Sequence, residues 1–268
     1  MTMNMLEKII ADKISEVRER KNRRTIEEFK EQILAMPKCR NFYSAVTKIN
    51  PRGLNVIAEV KKASPSAGLI REDFDPVAIA GTYAKCGADA ISVLTDEKYF
   101  QGRLEYIQQI KQAVSLPILR KDFIIDPWQV YESRVAGADA ILLIAEALKL
   151  AELTDLMVTA AELTLTVLLE VHDADSLLGV RSMIGFPKKG YSVLGINNRD
   201  LTTMQVDLNN TARLVDLLNN TDELVSESGI KTRADVEKLK AVGVRAVLIG
   251  QTLCANNNIE TKFKELFG

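Results

Sequence analysis

Acidic and basic side chains follow three short apolar runs of the sequence. Glu59 and Lys61 come at the end of one run, Lys121 follows a second, and Glu170 follows a third. Opposite charges near a lysine favour its ammonium form, which can act as a general acid, whereas a lysine with a lowered pKa can attack a carbonyl as a Schiff-base nucleophile. Since Glu59 and Glu170 would both lie within reach of Lys121, we expect the charged general acid.

The alternation of strand side chains constrains which of these groups face the same way. Glu59 and Lys61 are two positions apart, so they share one face. Arg120 and Lys121 are adjacent and must face opposite sides, and the sequence leaves open which of the two enters the site. Glu170 directly follows an apolar run, where partial burial would raise its pKa toward use as a general acid or base.

Later segments add amide and guanidinium groups and small residues. Asn197 and Arg199 offer donors that suit a carboxylate or a hydroxylated substrate. Residues 226–230 (SESGI) and 249–252 (IGQT) leave backbone N–H groups exposed, as in the phosphate-binding loops of α/β barrels. His172, the one histidine of the chain, is expected to be structural, which excludes Ser-His-Asp catalysis and multi-histidine metal sites. We therefore expect a phosphorylated small molecule as substrate.

Eight short apolar runs, separated by segments with helical periodicity, predict the elements that position these residues. Strands that alternate with helices form a parallel sheet. Asp75 and Asp126, each followed by proline, mark helix starts, because aspartate caps a helix and proline suits its first turn. The runs are residues 55–60, 90–94, 117–119, 140–145, 165–169, 192–196, 223–225 and 246–249.

The spacing of these runs predicts an α/β fold, a single (βα)8 TIM barrel. The polar residues that close the runs recur about every 27 residues, which is typical of such a unit. Segments 86–91 (CGADAI) and 136–141 (AGADAI) repeat one device, a glycine able to take positive φ before the next strand. An open doubly wound sheet is the alternative, but no GxGxxG motif follows the first run. We expect residues 1–50 to form an N-terminal helical extension packed on a catalytic barrel of residues 51–268.

The charge balance and the cysteine content exclude several classes of protein. The 268 residues carry 35 Lys and Arg against 36 Asp and Glu, a net charge of −1, so nothing favours binding to nucleic acid or to an anionic membrane. The three cysteines form no CxxC pair, which argues against a disulfide framework and against a metal site. Charged residues interrupt the N-terminal segment and no long apolar run occurs, so we expect a cytoplasmic protein without signal peptide or membrane span.

Seven segments of the chain form an ordered set of motifs. They are residues 6–10 (LEKII), 57–66 (IAEVKKASPS), 94–102 (LTDEKYFQG), 119–124 (LRKDFI), 169–172 (LEVH), 195–201 (GINNRDL) and 226–230 (SESGI). Several of these motifs are weak alone, but together and in this order they are highly specific. The sequence resembles the indole-3-glycerol phosphate synthase family of tryptophan biosynthesis over nearly the whole chain.

The resemblance implies a carbon–carbon lyase reaction. The substrate, 1-(2-carboxyphenylamino)-1-deoxyribulose 5-phosphate, closes its ring, loses CO2 and water, and becomes indole-3-glycerol phosphate, without cofactor or metal. By the family pattern, Lys121 corresponds to the general acid that protonates the carbonyl oxygen, and Glu170 to its partner in the later dehydration. Lys61 corresponds to a group that binds the substrate carboxylate and shares in proton transfer, with Glu59 and Asn197 orienting the network.

The resemblance also assigns residues around the substrate. Ser64 and Arg199 map near the substrate carboxylate and hydroxyls, and Glu227 maps to an active-site carboxylate. The apolar wall for the anthranilate ring corresponds to Pro65, Phe100 and Phe123. The phosphate end corresponds to Ser228, Gly229, Gly250 and Gln251.

Two features depart from the family pattern. Residues 181–191 are longer than the usual connection before the sixth strand, and Gln251 stands where the family often has Ser or Glu. Neither feature removes a catalytic group, because a backbone N–H can bind phosphate whatever the side chain. The family pattern favours a monomer. A Schiff-base aldolase that uses Lys121 or Lys61 and a catalytically silent sugar-phosphate-binding barrel remain the alternatives.

Overall fold

The computed structural model describes residues 3–200 and 203–268, and eight of the described strands form a closed barrel. An antiparallel pair of short strands, Ala63–Ser64 with Gly68–Leu69, follows the first barrel strand. The barrel strands β1–β8 are Asn55–Val60, Ala90–Leu94, Ile118–Lys121, Ala140–Ile144, Thr166–Val171, Ser192–Asn197, Leu224–Glu227 and Ala246–Ile249.

The barrel strands are all parallel, and β1 pairs with both β2 and β8, which closes the sheet. The TIM barrel predicted from the sequence is confirmed. Each predicted apolar run overlaps a strand, and their starts agree within one residue. The run 140–145 ends one residue beyond its strand, whereas several other strands extend further at their carboxyl ends than predicted. Strands β3, β6 and β7 end at the polar residues Lys121, Asn197 and Glu227, and β5 runs through Glu170. The apolar pattern ends early there because the inward face becomes polar at the mouth of the barrel.

Three helices precede the barrel. They are α1 (Met5–Lys21), α2 (Ile26–Leu34) and α3 (Phe42–Thr47). α3 covers the amino-terminal end of the barrel, where Phe42 is fully buried and packs with the inward residues of the strands. α2 packs on the outer helix Pro127–Ala136, with the ring centroid of Phe29 5.2 Å from that of Trp128.

Further helices follow β1 and alternate with the later strands. They are α4–α13: Pro76–Lys85, Glu97–Phe100, Glu105–Ala113, Pro127–Ala136, Leu150–Glu162, Ala174–Val180, Asn209–Val215, Arg233–Ala241, Gln251–Cys254 and Ile259–Phe267. The predicted caps are present, since Asp75 accepts hydrogen bonds from the N–H groups of Val77 and Ala78, and Asp126 from that of Trp128. Within the described ranges, no helix has both the length and the apolar composition needed to cross a membrane.

The two faces of the barrel strands form two separate cores. In β1, Ile57 packs inside the barrel and Ala58 packs outward against the helices. Because side chains alternate along a strand, the residue after this pair, Glu59, also points inward, one layer closer to the carboxyl end. In β3 the same parity buries Leu119 inside the barrel and directs Lys121 to the mouth. The fold thus collects the inward polar residues at one end.

The long connection 181–191 lies at the amino-terminal side of β6. It begins with a 3-10 turn, Arg181–Met183. Arg181 Nη1 donates to the carbonyl oxygen of Leu217 at 2.9 Å, and the N–H of Gly185 donates to Ser192 Oγ at 2.8 Å. None of its residues lines the cavity at the carboxyl end of the strands, so this departure from the family pattern leaves the site intact.

Candidate active site

A cavity of about 610 Å³ opens at the carboxyl ends of the barrel strands. All of the site residues named from the sequence line it, from Glu59 on β1 to Gln251 after β8. Active sites of TIM barrels lie at this end. Several apolar residues that were not predicted from the sequence also line the cavity. They are Met5, Leu6, Ile9, Leu142, Ile144, Met204, Val206 and Leu248.

Lys121, the inward residue at the end of β3, contacts two carboxyl groups. Its Nζ lies 2.7 Å from Glu170 Oε2 and 3.3 Å from Glu227 Oε2. Burial alone would lower its pKa, but Glu170, Glu227 and, more weakly, Glu59 outweigh that effect and hold the pKa of Lys121 well above its ordinary value. The side chain is therefore an ammonium group, in the state expected of a general acid.

Arg120 points the other way, into the layer between the barrel and its helices. Its Nη2 lies 3.0 Å from Asp122 Oδ2, and its Nη1 lies 2.9 Å from Glu132 Oε2 on α7. The side chain is fully buried. The orientation that the sequence left open is thereby resolved: Lys121 enters the site, and Arg120 joins β3 to an outer helix.

Glu170 is buried on β5 and faces three polar groups. Its Oε2 binds Lys121, and its Oε1 accepts a hydrogen bond from Asn197 Nδ2 at 3.2 Å and lies 3.2 Å from His172 Nε2. Burial alone would raise its pKa, but the two cations, Lys121 and His172, hold the pKa of Glu170 well below its ordinary value. The raised pKa predicted for Glu170 is wrong, because that prediction considered burial without the positive charges of Lys121 and His172.

His172, which the sequence predicts to be structural, does not line the cavity, but its contact with Glu170 was not predicted. Its Nδ1 is 3.0 Å from Glu146 Oε2, and its backbone N–H donates to Glu146 Oε1 at 2.8 Å. Burial lowers the pKa of the imidazole, but Glu146 and Glu170 outweigh burial and raise it to about 10. The signal in the sequence was the spacing, since a residue two positions beyond Glu170 on an extended strand lies on the same side.

Glu227, the last residue of β7, has the opposite shift. Burial raises the pKa of its carboxyl group, Lys121 opposes this effect, Glu170 adds to it, and the result is about 8. Its Oε1 is buried and has no hydrogen-bond partner among the described residues. A Cβ added at Gly195 on the adjacent strand would overlap this oxygen. Two carboxyl groups at one ammonium thus differ in charge near neutral pH, with Glu170 ionised and Glu227 protonated.

Glu59 and Lys61 form a second acid–base pair at the end of β1. Lys61 Nζ lies 2.5 Å from Glu59 Oε2, as expected from their shared face, and 6.0 Å from the ring centroid of Phe100. Glu59 is almost fully buried, whereas Lys61 is half-buried at the cavity. A Cβ added at Gly250, after β8, would overlap the Glu59 carboxylate and lie 3.0 Å from Glu59 Cβ. Gly250 therefore provides the space for Glu59.

Two phenylalanines form one apolar side of the cavity. Phe100 ends α5 and Phe123 follows β3, and their ring centroids are 6.2 Å apart with the ring planes inclined by 38°. Ser64 and Pro65 line the cavity from the hairpin after β1, where Ser64 Oγ accepts a hydrogen bond from the N–H of Ala67 at 3.2 Å. This part of the cavity can take a flat aromatic ring beside a polar edge.

The loops after β7 and β8 meet at the far side of the cavity. Ser228 and Gly229 are consecutive residues in the left-handed region, with φ of 66° and 85°. A Cβ at Gly229 would also come within 2.7 Å of Val206 Cγ1, so glycine is required there for space as well. Gly250 precedes α12, which begins at Gln251. Small residues and the first turn of a helix thus lie together at this end of the cavity. In α/β barrels the backbone N–H groups of such loops and helix starts bind phosphate.

Arg199 follows β6 and forms hydrogen bonds within its own segment of the chain. Its backbone N–H donates to Asn197 Oδ1 at 3.0 Å, and its Nη1 donates to the carbonyl oxygen of Met204 at 3.1 Å. Burial lowers the pKa of the half-buried guanidinium group, and Glu59 opposes this effect. Leu201, the last residue of the predicted motif, lies outside the described residues.

The family model for indole-3-glycerol phosphate synthase matches residues 6–266 of the chain. The chain belongs to the indole-3-glycerol phosphate synthase family. Proteins named indole-3-glycerol phosphate synthase from Rhodopirellula baltica and Acetivibrio thermocellus are 47% identical over 231 residues and 46% identical over 263 residues. These matches cover 86% of both chains for the first and 97% of this chain and 98% of the relative for the second.

Solved structures outside the indole-3-glycerol phosphate synthase family share the barrel. The 3-hexulose-6-phosphate synthase of Salmonella typhimurium superposes with a TM-score of 0.63 at 12% identity, covering 80% of this chain and 96% of that one. The thiamine phosphate pyrophosphorylase of Pyrococcus furiosus superposes with a TM-score of 0.55 at 15% identity, covering 81% and 96%. At such identities the likeness concerns the fold alone. The indole-3-glycerol phosphate synthase family that the motifs predicted, and with it a carboxy-lyase of tryptophan biosynthesis, is confirmed.

Proposed function

We propose that this cavity converts 1-(2-carboxyphenylamino)-1-deoxyribulose 5-phosphate to indole-3-glycerol phosphate, with the residues around Lys121 as its catalytic groups. The assignment of roles rests on one observation: the Lys121 ammonium group lies between Glu170 and Glu227 at the mouth of the barrel. The chain belongs to the indole-3-glycerol phosphate synthase family, which supports the same assignment. The reaction needs acid–base chemistry only, because the substrate contains both the electrophile, its ketone, and the nucleophile, its aromatic ring.

Lys121 acts as the general acid of ring closure. The ring carbon that bears the carboxylate attacks the ketone carbon, and Lys121 supplies the proton to the ketone oxygen as that bond forms. CO2 then leaves, and the electron pair of its bond to the ring restores aromaticity. The raised pKa of Lys121 supports this role, because the group carries its proton at every pH at which the enzyme would work.

Glu170 acts in the dehydration that completes the indole. The former ketone oxygen leaves as water, and the adjacent carbon loses a proton. The lowered pKa of Glu170 keeps it an ionised base, and Asn197 holds its Oε1 in position. Glu227, with its pKa of about 8, is the neighbouring carboxyl group that still carries a proton near neutral pH.

Lys61 binds the substrate carboxylate and shares in proton transfer, with Glu59 orienting its ammonium group. The 2.5 Å contact between the two residues supports this role. The anthranilate ring lies against Phe100 and Phe123, whose ring centroids are 6.2 Å apart, with Pro65 in the same wall. Ser64 and Arg199 bind the carboxylate and hydroxyl groups. The phosphate is bound by Ser228, Gly229, Gly250 and Gln251.

The direct test is turnover of the carboxyphenylamino-deoxyribulose phosphate by purified protein in the presence of a chelator. We expect indole absorbance and fluorescence to appear at an enzymatic rate, with the chelator making no difference because the substrate provides its own electrophile. Folded protein that forms no indole would contradict the proposal and favour the silent sugar-phosphate-binding barrel.

The Schiff-base aldolase alternative requires a neutral lysine. Lys121 lies against two carboxyl groups that favour its charged form, which opposes this reading. Borohydride treatment in the presence of a ketose phosphate would trap a covalent adduct in an aldolase, and we expect none here by mass spectrometry.

We also propose that the protein is a cytoplasmic monomer, with residues 1–50 as an extension of a single catalytic barrel of residues 51–268. Its neutral charge balance supports a small-molecule enzyme without nucleic-acid or membrane partners. Light scattering coupled to size-exclusion chromatography should give a mass close to 29.7 kDa, and a mass of twice that value would contradict the monomer.

A further inference from the structure

Lys13 of α1 is a buried lysine to which the proposed mechanism gives no role. Its side chain is 2% exposed, and it does not line the cavity. Its Nζ lies 2.9 Å from Asp96 Oδ2, 3.1 Å from Asp122 Oδ1 and 2.7 Å from Glu16 Oε2. Burial alone would lower its pKa, but Asp122, Asp96 and Glu16 outweigh that effect and raise the pKa, so Lys13 is an ammonium group.

The two buried partners of Lys13 each hold one phenylalanine of the cavity wall. Asp96 caps α5, the helix that ends at Phe100, by accepting a hydrogen bond from the N–H of Tyr99 at 2.7 Å. Asp122 directly precedes Phe123 and accepts a hydrogen bond from its N–H at 2.8 Å. One ammonium group on α1 therefore connects the two segments that carry the aromatic wall.

The two partners depend on Lys13 to different degrees. Asp122 Oδ2 also lies 3.0 Å from Arg120 Nη2 and accepts a hydrogen bond from Thr95 Oγ1 at 2.6 Å. In the part of the chain that the structure describes, Asp96 has no ion pair except the one with Lys13. An unpaired buried carboxylate is unfavourable, so loss of Lys13 would drive Asp96 toward water or toward protonation and would move α5 with it.

The helix that supplies Lys13 also reaches the cavity itself. Met5, Leu6 and Ile9 of α1 line the cavity, one to two turns before Lys13. On the exposed side of the same contact, Asp12 binds Lys98 Nζ at 2.7 Å and accepts a hydrogen bond from Tyr99 Oη. α1 and α5 are thus joined by the exposed contacts of Asp12 and by the buried ion pair of Lys13 with Asp96. Of these two residues of α1, only Lys13 also binds Asp122.

We propose that Lys13 is a positioning residue for the reaction: it sets the separation of Phe100 and Phe123, and with it the slot that receives the aromatic ring of the substrate. The proposal rests on the proposed function, since it assigns the ring to this wall. It makes α1 part of the substrate-binding apparatus through a residue that does not touch the substrate. The ion-pair partners of Lys13, which are Glu16, Asp96 and Asp122, all lie outside the loops after β7 and β8, so phosphate binding there should not respond to the loss of Lys13.

The test compares Lys13→Met with Lys8→Met, a control on an exposed lysine of the same helix. We expect Lys13→Met to lower kcat/KM at least tenfold and to weaken inhibition by the borohydride-reduced substrate, an unreactive alcohol with the aromatic ring, by a similar factor. Inhibition by inorganic phosphate should stay unchanged in both variants. A folded Lys13→Met variant with normal kcat/KM, or one that loses phosphate inhibition equally, would overturn the proposal.

Two further variants separate positioning from a loss of folding. Asp96→Asn keeps a good helix cap but removes the ion pair, and it should reproduce the ring-specific loss even if Lys13→Met does not fold. Phe100→Leu should lower kcat/KM in the wild type but add little in the Lys13→Met background, because both changes disturb the same wall. If the losses in kcat/KM from Phe100→Leu and Lys13→Met multiply in the double variant, Lys13 does not act through the aromatic wall. Indole formation by the wild type tests the proposed function separately, so an active wild type with an unaffected Asp96→Asn variant refutes only this inference.

Discussion

The Glu59 carboxylate occupies the space in which the Cβ of any side chain at position 250 would lie. The same relationship joins Glu227 to Gly195. In both cases a carboxyl group on one strand is accommodated by a glycine of the neighbouring strand, Gly195 within β6 and Gly250 directly after β8. The polar layer at the mouth of the barrel is thus specified by its glycines as much as by its acids.

Gly250→Ala should displace Glu59 and with it Lys61, because the new methyl group would lie 3.0 Å from Glu59 Cβ and overlap the carboxylate. We expect kcat/KM to fall roughly 10²-fold, the size of effect that small misplacements in an active site produce. Gly81→Ala on α4 is the matched control, since nothing lies within 4 Å of its added Cβ. It should keep full activity and gain about 0.5–1 kcal/mol of stability. Equal activity in both variants would contradict the assignment of Glu59 and Lys61.

Lys121→Met should remove the group that we propose as the general acid and leave a folded barrel. General acid catalysis contributes roughly 10²–10⁴-fold, so we expect a fall in kcat/KM of that size, measured by the appearance of indole fluorescence. Lys62→Met is the control, because Lys62 follows Lys61 in the sequence but does not line the cavity. Circular dichroism checks that both variants fold, and an unchanged kcat/KM in Lys121→Met would remove this residue from the chemistry.

Glu227 should make the protein less stable as the pH rises. Its folded-state pKa of about 8 is above the ordinary value of 4.5, so the protonated form is favoured by folding. Its contribution is fully present below pH 4.5 and is lost as the pH rises through 8. Glutamine cannot ionise, so the Tm of Glu227→Gln should fall less between pH 5 and pH 9 than the Tm of the wild type. The exposed Glu237→Gln is the control and should follow the wild-type curve; a Glu227→Gln variant that does the same would contradict the raised pKa.

The single histidine allows its charge to be measured directly. Glu146 and Glu170 raise the pKa of His172 to about 10, so its ring should stay protonated at pH 8. The stabilisation from this charge is present below the ordinary value of 6.5 and is lost as the pH rises through 10. In NMR spectra the ring signals of His172 should titrate far above neutrality, and Glu146→Gln should lower the midpoint. A midpoint near 6.5 would mean that the ring does not face two ionised carboxylates.

The sequence predicted the barrel and its inward polar residues because both depend on simple periodicities. Alternation along β1 placed Glu59 and Lys61 on one face, and the contact of 2.5 Å agrees with that. The choice between Arg120 and Lys121 needed the actual register of β3, which apolar pattern alone does not reveal. The ends of several strands were predicted too early, because Lys121 and Glu227 continue their strands although they are charged.

The charge states were harder to predict than the positions. The pKa of Glu170 is lowered because Lys121, 49 positions earlier, and His172 both face it, and only the closed barrel brings the first of these close. The contribution of α1 to the cavity lining was not predicted from the sequence either, because this helix precedes the repeating strand–helix pattern. Lys13 is one charged residue among many on that helix until its burial is known.

Trp128 is the one tryptophan of the chain, and it lies where the N-terminal helices meet the barrel. Its ring packs on Phe29 of α2, and its Nε1 donates to the carbonyl oxygen of Arg24 at 2.7 Å. Its emission therefore monitors the docking of these helices, whereas far-ultraviolet ellipticity follows the whole barrel. If the extension detaches before the barrel unfolds, a red shift of the emission will precede the loss of ellipticity. The fluorescence of Trp128 can therefore distinguish detachment of the N-terminal helices from unfolding of the whole barrel.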